Sequence, residues 1–198
     1  MGRTPLTVVC MGEHVNIVQS LIYKGGNINK VDNMSETLLI AACGRENEKI
    51  VQLLIDKGAD LNKVNGISET PVTAACKSGN EKILRLLIDN GCSVNKMDGM
   101  RRTPLTVACQ SEDEKMVPLI IDKGGDVNQV DGGGVNQVDG MRETPLRAAF
   151  KKNNKKIVQL LIDKGGGVNR VGGMRGTHLI GFCKTVIEDR TFTQRQCI

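Results

Sequence analysis

Apolar residues recur along this chain in two alternating patterns. A short run of small and apolar residues, such as LLIAAC at 38–43, precedes a longer segment such as EKIVQLLID at 48–56, in which apolar residues fall three and four positions apart. The first pattern predicts a short buried helix, and the second predicts a helix with one wide apolar face. A glycine follows the second segment, as at Gly58, and suits the left-handed residue that ends many helices.

These two helices belong to a unit that repeats. The threonine before the first helix recurs every 33 residues, with one interval of 41, at Thr4, Thr37, Thr70, Thr103, Thr144 and Thr177. Threonine at this point predicts an N-cap, and the proline that often follows it has no N–H to satisfy. One unit of this size cannot bury its own apolar face, so stacked units are expected to share a continuous core.

The 33-residue period and the segments TPLTVAC and EKIVQLLIDKGADLN resemble the ankyrin repeat family. The resemblance covers residues 2 to about 183 and implies an all-α solenoid with short β-hairpin fingers along one edge. It predicts units at about 1–33, 34–66, 67–99, 100–140 and 141–173, the fourth with an eight-residue insertion, then a partial unit at 174–183 and a non-repeat tail at 184–198. It also implies a scaffold that binds another protein and has no catalytic activity.

The sequence departs from the family pattern in the first helix and in the fingers. The family's histidine is replaced at Thr7, Ile40, Thr73, Thr106, Arg147 and Ile180, so other groups must supply its hydrogen bonds. The finger glycine is kept only at Gly2, and Ser35, Ser68 and Arg101 follow it in the next units. This replacement predicts finger tips of a different shape. The dipeptides Asn65-Gly66 and Asp98-Gly99 are typical of tight hairpin turns.

Unit four contains a proline and a duplicated segment. Pro118 falls inside the predicted second helix, where it costs about 3 kcal/mol unless the helix kinks, so unit four is predicted to be the least stable. Residues 124–139 read GGDVNQVD and then GGGVNQVD. A calcium loop is excluded because Val130 and Gln137 stand where oxygen ligands are needed. We expect the first copy, 124–131, to end the helix normally and the second copy to lengthen one finger.

The residues that most often carry chemistry are poorly placed for it. Five of the seven cysteines share one repeat phase, at Cys10, Cys43, Cys76, Cys109 and Cys183, and are predicted to be buried and too far apart for disulfides, which leaves Cys92 and Cys197 as the more reactive thiols. His14 and His178 are isolated, and no catalytic or metal-binding motif is found. The sequence predicts no enzyme activity, no cofactor, no metal and no small-molecule substrate.

Positive charge is concentrated late in the chain. Residues 142–198 carry 12 Lys and Arg against 4 Asp and Glu, and the densest cluster is KKNNKK at 151–156, with Lys151, Lys152, Lys155 and Lys156. A solvated surface loop is the favoured interpretation, a patch for an acidic partner is the alternative, and a nuclear import signal is a weaker third. Binding of an acidic partner or of nucleic acid by this basic C-terminal part is the third candidate function. Nucleic acid is the less favoured of these two ligands because aromatic residues, which stack on bases, are only 2% of the chain.

The sequence contains no apolar run long enough to span a membrane and no signal peptide. It therefore predicts no membrane partner and a cytoplasmic protein, with a nuclear location as the weaker alternative. The first unit has no capping unit before it, which predicts an exposed apolar end face and favours a fragment of a longer array. A targeting or regulatory repeat fragment of a larger enzyme regulator, channel or ubiquitin-ligase adaptor is the alternative function.

One apolar residue per unit falls at the predicted finger tip, at Met34, Ile67, Met100, Met141 and Met174. This finger-tip ladder can either bind a partner or pack finger against finger, and both interpretations stay open. The family resemblance implies that the ladder shares a concave face with nearby charges. The predicted partner-binding residues are Met34, Glu36, Arg45, Ile67, Glu69, Lys77, Met100, Arg102, Gln110, Met141, Glu143, Lys151 and Lys152.

Overall fold

The computed structural model describes residues 2–130 and 143–167 and two short strands. These residues form ten helices in five consecutive pairs: α1 (Pro5–Cys10), α2 (Val15–Tyr23), α3 (Leu38–Cys43), α4 (Glu48–Asp56), α5 (Pro71–Ser78), α6 (Glu81–Asp89), α7 (Pro104–Gln110), α8 (Met116–Asp122), α9 (Pro145–Lys151) and α10 (Lys155–Asp163). Strands β1 (Val171–Gly172) and β2 (Gly176–Thr177) pair antiparallel. The described chain is thus an all-α stack, as the sequence predicts.

The first helix of every pair begins at the predicted threonine. The side chains of five threonines accept a backbone N–H three residues ahead, at Thr4, Thr37, Thr70, Thr103 and Thr144. Thr73, which replaces the family's histidine, has its hydroxyl 3.0 Å from both the N–H and the carbonyl oxygen of Thr70. A second threonine therefore supplies the hydrogen bonds that the missing histidine would make.

Three of the five second helices begin at an asparagine, and a glycine follows the end of each second helix. Asn47, Asn80 and Asn154 each accept the backbone N–H three residues ahead, which satisfies one of the donors left open at a helix start. Gly58 follows α4 with a φ of +83°, the left-handed conformation predicted for it.

Successive pairs bury each other's apolar faces. The first helices contact one another in the order α1, α3, α5, α7 and α9, and the second helices contact in the order α2, α4 and α6, with α8 next to α6. Ile50 and Ile83 are fully buried, whereas Ile17, at the same place in the first pair, is 48% exposed. Because only the first pair has no described pair before it, the exposed apolar end face predicted from the sequence is confirmed.

The fingers between the pairs are tight turns. In the first described finger the N–H of Asp32 donates to the carbonyl oxygen of Glu36 at 3.1 Å. Ser35, Ser68 and Arg101 have φ between +55° and +58°, so these residues adopt the left-handed conformation that glycine would otherwise provide. The three replacements thus keep a backbone conformation that suits glycine, and a difference in tip shape stays a prediction.

Gly66 serves close packing between fingers. A Cβ on Gly66 would lie 2.7 Å from the Cβ of Ser35, and the N–H of Gly66 donates to the Ser35 carbonyl oxygen at 2.8 Å. The dipeptides begin tight turns, as predicted: the N–H of Ser68 donates to the Asn65 carbonyl oxygen at 2.8 Å, and Arg101 makes the same bond to Asp98. Neither Gly66 nor Gly99 has a positive φ, so a left-handed backbone is not the reason for glycine at these positions. Glycine is required here because the preceding finger lies directly against the backbone.

Pro118 lies in the first turn of α8 because this helix starts late, so the predicted loss of a hydrogen bond shortens the start of the helix and does not kink its middle. Helix α8 begins at Met116, two residues later than its counterpart α6 by repeat position, so Pro118 is its third residue. The N–H groups of a first helical turn have no partner within the helix, and proline is tolerated there. The carboxylate of Asp113 accepts the N–H groups of Lys115 and Met116 at 2.9 and 3.1 Å, which closes the shortened start.

The first copy of the duplicated segment ends unit four in the ordinary way. Gly124 has a φ of +89°, and the amide of Asn128 donates to the Gly165 carbonyl oxygen at 2.9 Å. Asn95 makes the same contact with Gly124 one unit earlier. This part of the prediction is confirmed for residues 124–130, and the second copy lies outside the described residues.

Replacing Pro118 with Gln is expected to raise the free energy of unfolding by about 1–3 kcal/mol, because residue 118 gains an N–H that can bond the carbonyl oxygen of Glu114. Denaturant unfolding measures this change. The matched control, Gln52→Pro at the same place in α4, should lower the free energy by about 3 kcal/mol. An unchanged value for Pro118→Gln would show that the late start of α8 has another cause.

Positions 46 and 79 occupy the same turn in neighbouring units and offer a matched test of backbone strain. Both have positive φ, +59° at Glu46 and +76° at Gly79, and a Cβ on Gly79 would meet only the Asp113 side chain, at 3.6 Å. Gly79→Ala should therefore lower the free energy of unfolding by about 1 kcal/mol through backbone strain alone. Glu46→Ala, which already has a Cβ, should change it by less than about 0.5 kcal/mol. Equal effects at the two positions would refute the strain argument.

Candidate functional site

The finger-tip ladder is exposed in the described residues. Met34, Ile67 and Met100 are 64%, 68% and 71% exposed, respectively, so the interpretation in which neighbouring fingers bury these side chains is wrong. Met141 and Met174 lie outside the described residues. The three described tips form a discontinuous apolar stripe on successive fingers.

A polar pair links the finger to the end of the following first helix in units three, four and five. Residues eight positions apart meet: Glu69 forms an ion pair with Lys77, Glu143 forms one with Lys151, and Arg102 donates to Gln110 at 3.3 Å. The structure thus brings together six of the residues predicted from the sequence, two from each of units three, four and five. We call these positions the finger base.

Further hydrogen bonds connect neighbouring finger bases. The amide of Gln110 donates to Glu143 at 2.8 Å, across one unit boundary. The amide of Asn65 lies 3.3 Å from carboxylate oxygens of both Glu36 and Glu69. The sequence analysis did not identify Asn65 as part of this face. The sequence does contain a signal for its role, since Asn65 is a neutral amide at the position where the neighbouring units carry Asp32 and Asp98.

An open groove of about 410 Å³ lies beside the first three finger bases. Four predicted partner-binding residues line it, Glu36, Arg45, Glu69 and Lys77, and its apolar wall includes Ile40 and Ala74. Arg3 and Met11 also line the groove but were not predicted. The Arg3 guanidinium lies 2.9 Å from the Met11 sulfur, so the eight-residue pairing extends to unit one. The ladder residues stand apart from this groove, so the predicted set forms two adjoining surfaces.

Glu36 is the residue of this face whose charged form is disfavoured by its surroundings. Burial raises the pKa of its carboxyl group, and the charges of Glu69 and Asp32 raise it further, while hydrogen bonds from Asn65 and the Thr37 N–H act in the opposite direction. The net shift is upward because desolvation disfavours the charged form.

The lysine cluster at 151–156 is exposed but balanced by acidic residues. Lys151 pairs with Glu143, Lys152 pairs with Glu112 at 3.3 Å, and Lys156 pairs with Glu114 at 3.0 Å. These ion pairs fit the favoured interpretation of a solvated charged surface. They also reduce the positive charge that an acidic partner would meet.

Cys92 is buried, so its assignment as a reactive thiol is wrong. Its sulfur donates to the Leu61 carbonyl oxygen at 3.2 Å, and burial raises its pKa to about 12. The thiol therefore stays protonated near neutral pH, where a thiolate would be needed for reaction. Cys10, Cys43, Cys76 and Cys109 are buried and form no disulfide with one another, as predicted. Cys183 and Cys197 lie outside the described residues.

The described part of the chain lacks both a metal-binding cluster and a membrane-spanning helix. It contains no group of three or more His, Cys, Asp or Glu side chains arranged to hold a metal ion. None of its helices has the length and apolar character needed to cross a membrane.

Stacked helix pairs with hydrogen-bonded fingers define an α-helical repeat protein of the solenoid class. A model of ankyrin repeats, which comprises three copies, matches residues 1–65 and 64–131, and the chain therefore belongs to the ankyrin repeat family. No curated protein matches the chain. Ankyrin repeats are in general protein–protein interaction modules, and proteins built from them are typically non-catalytic.

Replacing Glu36 with Gln is expected to raise the thermal unfolding midpoint at pH 7. The folded-state pKa of Glu36 lies above its ordinary value of 4.5, so its contribution to stability is favourable below that value and is lost as the pH rises through the folded-state pKa. Glutamine keeps an oxygen that can accept from Asn65 and Thr37 but carries no charge.

Thermal unfolding of both proteins at pH 7 and at pH 4 checks this expectation. The difference in midpoint should be largest at pH 7 and should shrink at pH 4, where Glu36 is protonated in both the folded and the unfolded chain. A variant that is less stable at pH 7, or equally different at both pH values, would show that the Glu36 charge is well accommodated.

Proposed function

We propose that this chain binds a partner protein through its finger-tip ladder and the adjoining groove, and that it acts as a cytoplasmic scaffold without catalysis of its own. The observation that carries the proposal is the exposure of Met34, Ile67 and Met100 at 64%, 68% and 71% on consecutive fingers. Among the described residues, the other large apolar side chains with comparable exposure are Val8, Ile17 and Tyr23 of the first unit.

Apolar tips favour a protein partner over a small charged ligand. Burying half of each of the three side chains would contribute roughly 1 kcal/mol apiece. Methionine is flexible and polarizable, so it adapts to irregular surfaces. Neighbouring fingers also lie one repeat apart, and a partner that touches all three tips must therefore span three units.

The finger base supports this role by holding the tips in place. The backbone bond from Gly66 to Ser35 joins the first two described fingers, and Asn65 bridges the carboxylates of Glu36 and Glu69. A surface that is already ordered loses less conformational entropy when it binds. The tips can then discriminate between partners by the side chains they carry, while the frame stays constant.

The triple variant Met34→Ser, Ile67→Ser and Met100→Ser is expected to weaken partner capture at least about tenfold, because the apolar contact area of three fingers is lost. The measurement is quantitative capture from a lysate of the source cells, with the wild-type chain and the variant immobilised at equal density. Circular dichroism should show unchanged helix content, since the three side chains are exposed.

The matched control is the triple variant Val8→Ser, Ile17→Ser and Tyr23→Ser, which removes a similar exposed apolar area from the first unit. It should retain capture of the proteins that the ladder variant loses. Equal loss in both variants would indicate unspecific apolar adhesion. Full capture by the ladder variant would exclude the finger tips as the binding surface.

A further inference from the structure

The finger base of unit two lacks the polar partner that the other described units provide. In units one, three, four and five, the residue at the finger base meets the side chain eight positions later, as in Glu69 with Lys77 and Glu143 with Lys151. In unit two the corresponding residues are Glu36 and Gly44. Glycine has no side chain, so the Glu36 carboxylate receives no cation from its own unit.

A second carboxylate beside Glu36 is also incompletely satisfied. Asp32 is 4% exposed, and its Oδ1 accepts the Glu36 N–H at 2.9 Å. Its Oδ2 is buried and has no hydrogen-bond partner among the described residues. In unit four the equivalent oxygen of Asp98 is bound by the Arg102 guanidinium at 2.6 Å, and Arg102 occupies the position of Glu36. The fold therefore accommodates a cation at this place, but unit two has two acidic residues there instead.

Gly44 leaves room at the same place. It lines the open groove together with Glu36, and a Cβ added to it would meet only carbonyl oxygens of α3, at 3.5 Å and beyond. Lys77 and Lys151 fill the equivalent space in units three and five. We use the term slot for the part of the groove between Glu36 and Gly44.

Two arginines lie on the rim of the groove, and their positive charge places a second requirement on any partner that binds there. Arg45 and Arg3 are exposed, and neither forms an ion pair with another described residue. Arg3 is directed to the Met11 sulfur. A segment that brought only positive charge would be repelled by this rim, so an acidic residue close to the basic one fits the groove better.

We propose that the slot receives a lysine or arginine side chain presented by the partner protein, with an acidic residue nearby on the partner facing Arg45. The proposal rests on the protein-binding function proposed above and specifies the chemistry of the partner. The incoming cation takes the place that Lys77 and Lys151 occupy in their own units. A charge-assisted bond to Glu36 then offsets the desolvation of that carboxylate.

The test uses a phage-displayed random peptide library selected on the wild-type chain and on two variants of the slot. Wild type should enrich peptides with a basic residue at a fixed position next to an acidic one. Gly44→Lys supplies the cation internally, as in units three and five, and should lose the preference for a basic residue. Gly44→Ala adds a side chain without charge and should retain it.

Two further variants separate local from general charge effects. Ser111→Lys adds the same charge to an exposed loop of unit four and should leave the selected peptide sequences unchanged. Glu36→Gln should weaken the binding of a peptide selected on wild type about tenfold or more, since it removes the anion from a charge-assisted bond. Arg45→Ala should relax the acidic preference while the basic one persists.

The outcomes distinguish this proposal from the function on which it rests. Peptides that bind without a basic residue, or a basic preference that survives both Gly44→Lys and Glu36→Gln, would overturn the slot while leaving protein binding intact. A library that yields no binder on wild type would count against both. Enrichment of basic peptides equally on wild type and Ser111→Lys, but not on Gly44→Lys, is the result that supports the slot.

Discussion

The structure depends on burial between neighbouring units. Ile50 and Ile83 are fully buried, whereas Ile17 at the same place in the first pair is 48% exposed. A single helix pair therefore cannot remove its own apolar face from water, and the stack is held by contacts that each unit makes with the next. This arrangement explains why small residues such as Ala42 and Cys43 fill the first helices, since they let neighbouring helices approach closely. The finger face is positioned as a consequence of this packing.

Much of this architecture could be predicted because its signals are local. Threonine caps and the glycine after the second helices specify helix ends, and the structure confirms them. The sequence-based predictions failed for residues whose role depends on a contact with another unit or on the cap of a nearby helix. Gly66 is required by the preceding finger, and Cys92 is buried against the Leu61 backbone of the previous unit. Pro118 is tolerated because it falls in the first turn of α8, where the Asp113 carboxylate accepts the N–H groups of Lys115 and Met116. A pattern read along one segment contains none of this information.

On the face proposed to bind a partner, equivalent backbone positions carry side chains of different charge in successive units. The same finger-base position holds Arg3, Glu36, Glu69, Arg102 and Glu143 in successive units, while the backbone around it changes little. In four of these units the side chain finds a partner eight residues later in its own unit, whereas in unit two that position is Gly44. The sequence identified the individual residues of this face. It could not show that Glu36 would be left with Asn65 and Asp32 as its neighbours, because these contacts come from the stacking and folding of the fingers.

The most direct test of the central claim is hydrogen–deuterium exchange of the wild-type chain with and without a peptide that it selects from a library. The account predicts slower exchange in the fingers at residues 33–36, 66–69 and 99–102 and at the ends of α3 and α5. Exchange in the second helices α4, α6 and α8 should stay unchanged, because they lie away from the finger face. Slower exchange confined to those second helices, with the fingers unaffected, would place binding on the opposite surface and contradict the account.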